Sequence, residues 1–115
     1  MNKDRTILIT GASSGLGECL FKSFSKKFNV INISKTISAS KYNIVVNLRD
    51  LANLKEKLKN KNSKHELCIL NAGTMGTIGS ASSINYEDFL EALKVNVLAN
   101  KIIIDWSISN GCRNF

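Results

Sequence analysis

The sequence contains no proline, only three cysteines and few aromatic residues, 7% of 115. The missing proline accompanies an abundance of Lys, Asn and Ile and reads as compositional drift without functional meaning. The cysteines, Cys19, Cys68 and Cys112, are odd in number and share no short spacing, which argues for free thiols in a reducing cytoplasm and against a disulfide framework. No metal site is expected. No apolar run reaches the ~20 residues that a membrane span requires. Met1-Asn2-Lys3-Asp4-Arg5 leads straight into a strand, so no secretory signal peptide and a cytoplasmic location are expected.

A formal charge of +7 raises the question of a nucleic-acid partner. Much of it lies in Lys55, Lys57, Lys59, Lys61 and Lys64, on a helix whose other face carries Leu51, Leu54 and Leu58. No aromatic residue interleaves with these lysines, as a base-stacking platform would require. They read as the solvated side of that helix, so no nucleic-acid partner is expected.

A chain of 115 residues supports one domain with a real core. Apolar strand-like runs alternate with helical patterns, the signature of a parallel sheet flanked by helices. Strands are predicted at 5–10, 28–34, 43–48 and 66–71, and helices at 15–27, 51–60 and 85–110. The last helix carries an irregularity near Asn96. Asp50 is placed to cap the second helix, and Gly111 to stop the last. The fold class is α/β, a Rossmann-like doubly wound parallel sheet with strand order 3-2-1-4 and no linker. Its switch point lies between the first and fourth strands, where ligands bind at the carboxyl ends.

Two segments sit at those ends. Thr10-Gly11-Ala12-Ser13-Ser14-Gly15-Leu16-Gly17 joins the first strand to the first helix. A helix N-terminus offers unpaired amides and the positive end of a dipole, which attract a pyrophosphate. Gly11 allows the tight turn, Gly15 a close backbone approach to the ligand, and Gly17 close packing of helix on sheet; Ser13 and Ser14 add hydroxyl donors. The stretch lacks the Gly-Lys-Ser/Thr of a triphosphatase loop, which disfavours ATP hydrolysis. Asn71-Ala72-Gly73 ends the fourth strand.

Thr10-Gly11-x-x-x-Gly15-x-Gly17, then Asn71-Ala72-Gly73, then Val95-Asn96-Val97, in that order, resemble the short-chain dehydrogenase/reductase family along the whole chain. The glycine spacing is that of its compact, oxidoreductase branch. The resemblance implies hydride transfer between a nicotinamide dinucleotide and a carbonyl or alcohol substrate. It implies cofactor contacts from Gly11, Ser13, Ser14, Gly15, Leu16 and Gly17. After the second strand the family places the residues that choose the cofactor. Here stand Ser34, Lys35 and Thr36 with no acid, so Lys35 pairing with a phosphate and Ser34 donating to it favour NADP(H) over NAD(H). Asn47 and Leu48 match the adenine-contacting positions. Asn71, Ala72 and Gly73 match the segment beside the cofactor ribose, with Asn71 also tying strands together. The loop at 74–77 would begin the substrate side, with no specific role assigned. Asn96 matches the catalytic Asn, whose backbone carbonyl holds a water of the proton relay.

The family's Ser and Tyr-x-x-x-Lys have no counterpart here. Tyr42 precedes the third strand, and Tyr86 is followed at the required spacing by Leu90. Without that phenol there is no acid for the carbonyl oxygen as hydride arrives. The chain therefore reads as the cofactor-binding portion of such a domain, C-terminally incomplete, binding cofactor without catalysing. The alternative is a non-enzymatic dinucleotide-binding module or remnant. The fourth strand is expected to form an exposed edge presenting Leu67, Cys68, Ile69 and Leu70. A homo-oligomer through the Asn96 helix is expected if Ile102, Ile103, Trp106 and Ile108 face a partner.

Overall fold

The computed structural model of the chain describes residues 3–76 and 78–115. Strands β1 (Thr6–Thr10), β2 (Asn29–Ser34), β3 (Tyr42–Val45) and β4 (Leu67–Ile69) form one parallel sheet in the order β3-β2-β1-β4. This is the expected order. Register follows from the alternation of side chains along each strand. On β1, Ile7 and Ile9 point to the face covered by Leu20, Phe21 and Phe24 of helix α1 (Gly15–Phe24). Leu8 points to the opposite core, filled by Leu54 and Leu58 of α2 (Leu51–Lys59) and by Ala99, Ile103 and Trp106 of α4 (Ala99–Ser109). Burial on both faces explains why the centres of β1 and β2, Ile7 to Ile9 and Val30 to Ile33, are apolar, Asn32 excepted.

Element boundaries moved where side chains took over from the ladder. β4 pairs over three residues only. Beyond it, the amides of Asn71 and Ala72 donate to the Thr10 hydroxyl, at 3.0 and 2.9 Å, and so leave the sheet. Asp50 caps α2 as expected, its Oδ1 accepting from the Asn53 amide at 3.0 Å. The leucines of α2 are buried at 54 and 58 while Lys55, Lys57 and Lys59 are exposed, an ordinary amphipathic arrangement.

The long C-terminal helix is interrupted where expected. Between α3 (Tyr86–Leu93) and α4 lies a π-helical turn, Lys94–Leu98, marked by the Ala99 amide reaching back five residues to the Lys94 carbonyl. Asn96 sits in the middle of that turn.

One expectation is corrected and one open point decided. The β4 edge is partly closed by the chain's own last residues. The Cys68 amide donates to the Asn114 carbonyl at 2.9 Å, Leu67 bridges Asn114 in parallel, and Asn114 Nδ2 donates to the Glu66 carbonyl at 2.9 Å. The open point is which way the last helix faces, left undecided by the sequence. Ile103 and Trp106 are buried against their own sheet, because the π-helical turn rotates the apolar stripe of α4 relative to that of α3. Ile108 remains exposed, and the other exposed apolar side chains of this region include Phe89, Leu90, Leu93, Val97 and Leu98.

Trp106 also locks α4 to the connection before β4. Its Nε1 donates to the Lys61 carbonyl at 3.1 Å, and its ring stacks on His65 at 5.3 Å. His65 Nδ1 meets the Ser63 carbonyl at 2.7 Å and so carries the proton, which leaves Nε2 to accept from the Ser107 hydroxyl at 2.9 Å. His65 and Ser107 are both buried, so this pair is a structural tie with no access for a substrate. Burial lowers the His65 pKa below its ordinary value and pushes the neighbouring Cys68 thiol up to about 11.

Candidate functional site

A cleft of about 460 Å³ opens at the carboxyl ends of the strands, where β1 and β4 diverge. One wall is the loop from β1 into α1. Gly11 and Gly15 adopt φ of +73° and +56°, which side-chain-bearing residues rarely adopt. A Cβ at position 17 would stand 2.0 Å from the Gly11 carbonyl oxygen and 2.6 Å from Asn71 Nδ2. The helix start is therefore pressed onto the loop and onto the end of β4 at once. Ser14 precedes α1 in an extended conformation and makes no side-chain cap bond. The first amides of α1, at Gly15, Leu16 and Gly17, have no intrahelical acceptor and stand as free donors at the positive end of the helix dipole.

The opposite wall comes from the ends of β2 and β3. Ser34, Lys35 and Thr36 line it, followed by Asn47, Leu48 and Arg49. The floor is Asn71, Ala72, Gly73 and Thr74, with Val95 behind. Lys35 and Arg49 are the charged residues of the lining, both exposed, and no carboxylate lines it among the described residues. A cavity of similar size, about 470 Å³, lies at the amino ends of the strands between Thr6, Tyr42 and Lys61. Its lining holds no glycine and no helix start, and so none of the backbone donors of the first cleft.

The expected site residues fall into three groups. Gly11, Ser13, Ser14, Ser34, Lys35, Asn47, Leu48, Asn71, Ala72 and Gly73 line the cleft together. Gly15, Leu16 and Gly17 form the helix start beside it. Asn96 stands apart from the lining and acts on it through Thr74. Its Oδ1 accepts from the Thr74 amide and its Nδ2 donates to the Thr74 carbonyl, both at 2.8 Å. The Asn96 backbone carbonyl, expected to hold a water, accepts from Asn100 Nδ2 at 2.9 Å.

Several side chains have prior commitments. The Ser34 hydroxyl donates to the Thr36 carbonyl and accepts from Asn32 Nδ2, so its proton is spent within the protein. Asn47 Oδ1 accepts from the Arg49 amide at 3.0 Å. Asn71 Nδ2 reaches the Thr10 and Gly11 carbonyls at 3.2 and 3.4 Å, which joins β4 to the glycine loop. Ser13 accepts from the Thr36 hydroxyl at 2.8 Å, which leaves its own proton free to donate into the cleft. Within the loop at 74–77, Thr74, Met75 and Gly76 are described and Thr77 lies outside the described residues.

Sequence reasoning missed Arg49 and Asn32, and gave Thr36, though named beside Lys35, no role. Arg49 had a signal, a lone cation directly after the third strand. Asn32 had one too, an amide between the apolar pair Val30-Ile31 and Ile33 in the middle of the second strand.

No protein-family model and no curated protein matches the chain. Solved structures do. A short-chain dehydrogenase/reductase from Burkholderia vietnamiensis superposes with a TM-score of 0.84 at 20% identity, covering 98% of this chain and 62% of that one. A short-chain dehydrogenase family protein from Francisella tularensis gives 0.83 at 27% identity, covering 95% and 47%. A 3-ketoacyl-(acyl-carrier-protein) reductase from Brucella melitensis, complexed with NADH, gives 0.79 at 22% identity, covering 94% and 50%. Other structures of this fold hold NAD+ or NADP. The chain spans 47% to 62% of the length of these three structures.

Proposed function

We propose that this chain, which has the fold of the short-chain dehydrogenases/reductases, binds a nicotinamide dinucleotide in the cleft between β1 and β4, with NADP(H) preferred. The observation that carries the reading is the pairing of a free helix start and a positive-φ glycine loop with two cations and no carboxylate in one lining. The amides of Gly15, Leu16 and Gly17 and the free Ser13 proton suit the pyrophosphate and its neighbouring oxygens. Lys35 and Arg49 flank the ribose end, where a 2′-phosphate adds two negative charges that an acidic residue would repel. Asn47 and Leu48 suit the adenine, and Ala72 and Gly73 the second ribose.

The bound group supplies hydride chemistry, and the relatives' activity suggests a carbonyl or alcohol as its partner. The chain's own residues position the cofactor and shape the mouth of the site. They do not supply the proton. Tyr42 lies at the start of β3, at the other end of the sheet, and Tyr86 opens α3 with 90% exposure. These 115 residues alone therefore bind and do not turn over, which also favours a second reading, a dinucleotide-binding module without enzymatic activity. Association of two copies through the exposed face of Phe89, Leu93 and Val97 is part of the proposal. Nucleic acid is not part of the proposal: Lys55, Lys57 and Lys59 form the solvated face of α2.

Calorimetric titration of the purified chain with NADPH and NADH tests the cofactor claim. Saturable NADPH binding, tighter than NADH, is expected; no heat from either at millimolar concentration overturns it. Carbonyl-dependent NADPH oxidation well above background overturns the claim that the chain does not catalyse.

A further inference from the structure

Asn32 is the one polar residue facing inward from the middle of β2, and it is fully buried. A buried amide is tolerated only where its hydrogen bonds are made. Here all are made, and they run to three different segments. Oδ1 accepts from the Ala12 amide, inside the glycine loop, at 2.9 Å. Nδ2 donates to the Ser34 hydroxyl at 2.9 Å and to Asn43 Oδ1 at 2.8 Å.

Each partner carries the tie onward. Ser34 donates to the Thr36 carbonyl. Asn43 Oδ1 also takes the amide and hydroxyl of Ser38, at 3.0 and 2.9 Å. Asn43 Nδ2 donates to the Ser40 carbonyl at 2.7 Å. The connection between β2 and β3 has no regular structure, and these side-chain bonds help to hold it, together with the Ser40 hydroxyl donating to the Val30 carbonyl. Its tip then returns to the glycine loop, where the Thr36 hydroxyl donates to Ser13 at 2.8 Å.

We infer that Asn32 is a positioning residue for the adenosine end of the dinucleotide. Its amide makes the glycine loop and the 34–40 connection one unit, so that Ser13 and Lys35 meet the ribose phosphate in fixed geometry. The inference rests on the proposed dinucleotide site and adds to it a buried residue that touches no ligand. A valine at this position would fit the strand and the core, but would leave the Ala12 amide without its acceptor and the Ser34–Thr36 turn without its support.

The test compares wild type with Asn32→Val and Thr36→Val, using two ligand fragments and hydrogen exchange. In Asn32→Val, 2′,5′-ADP is expected to bind about tenfold more weakly, as for loss of one or two buried hydrogen bonds. Nicotinamide mononucleotide, which does not reach this end, is expected to bind within about twofold of wild type. Amide exchange at 11–14 and at 34–40 is expected to rise together. Thr36→Val, at an exposed residue of the lining, cuts the outer tie and is expected to weaken 2′,5′-ADP about threefold and to raise exchange at 11–14 as well as at 34–40. Loss of a ligand contact alone would not give that coupled rise, which keeps the inference open to test if the buried variant does not fold. Equal losses for both fragments, or faster exchange confined to one segment, overturn it. A wild-type chain that binds neither fragment overturns the dinucleotide reading and the ligand half of this inference, while the exchange data still decide the coupling of the two segments.

Discussion

The side-chain amide of Asn96 grips the backbone of Thr74 from both sides, accepting from its N–H and donating to its C=O at 2.8 Å each. This pairing mimics a strand ladder across 22 residues of sequence. It becomes available because the π-helical turn Lys94–Leu98 turns Asn96 toward the end of β4.

Asn96→Ala is expected to free the 72–76 loop while leaving the fold intact. Both Thr74 groups lie near solvent and can be hydrated, so the cost in stability is about 1 kcal/mol. Hydrogen exchange at 73–76 should rise sharply, with urea unfolding shifted only slightly. Unchanged exchange in that loop would show that Asn96 does not hold it.

Gly17→Ala is expected to be the most damaging single methyl in the chain. The added carbon would meet a backbone oxygen at 2.0 Å, and backbone has little room to give. A loss of about 2–3 kcal/mol follows from overpacking. Gly15→Ala has open space around it and pays only for its φ of +56°, about 1 kcal/mol. Thermal unfolding of the two variants should therefore separate clearly, with Gly17→Ala lower.

Stability should depend on His65 in mildly acid solution. Burial lowers its pKa in the folded state from the ordinary 6.5, so the unfolded chain binds the proton more readily. Its contribution is complete above about pH 6.5 and is lost as the pH falls through that value toward the folded-state pKa. Protonation places an N–H against the Ser107 hydroxyl, which must then turn away. Denaturant unfolding between pH 8 and pH 5 should show this slope, and His65→Gln should flatten it. The Arg5–Glu66 pair lowers the Glu66 pKa from 4.5 and so acts only in more acid solution.

Lys35→Glu is expected to reverse the cofactor preference. Exchanging a cation for an anion beside the 2′-phosphate should cut the NADPH-to-NADH affinity ratio at least about tenfold. Arg49→Glu should act in the same direction. Salt should weaken NADPH more than NADH in the wild type. A ratio that stays constant through both substitutions would remove the phosphate role from these residues.

Association should fall when a charge enters the exposed face of α3. Phe89 is 57% exposed and lies one and two turns from Leu93 and Val97. Phe89→Glu is expected to give a monomer in sedimentation equilibrium where wild type shows self-association. A wild-type monomer at high concentration would set the oligomer aside.

The glycine loop was legible as a local pattern, the order 3-2-1-4 followed from the alternation of strands and helices, and the interruption at Asn96 came with the family resemblance. Side-chain periodicity declares a strand or a helix, and glycine declares a turn. Which apolar face of the last helix meets its own sheet was not legible. One π-helical turn rotates the stripe between Phe89 and Trp106, and a periodic pattern cannot register that rotation. Closure of the β4 edge by Asn114 depends on where α4 ends in space, which no local pattern contains.

For the cleft, the sequence by itself determined the donors: Gly11 to Gly17, Lys35, and Asn71 to Gly73 lie at strand ends by simple counting. Only the tertiary structure decided which of their hydrogen bonds remain free. Ser34 has given its proton to Thr36, Asn47 is bound to Arg49, and Ser13 keeps its own. It also brought in Asn32, from the middle of β2, and Arg49, from the turn before α2, which reach the glycine loop and its cleft only after folding. The physical reason is that a hydroxyl or amide has few bonds to make, and the first claim on them belongs to whatever the fold places within reach.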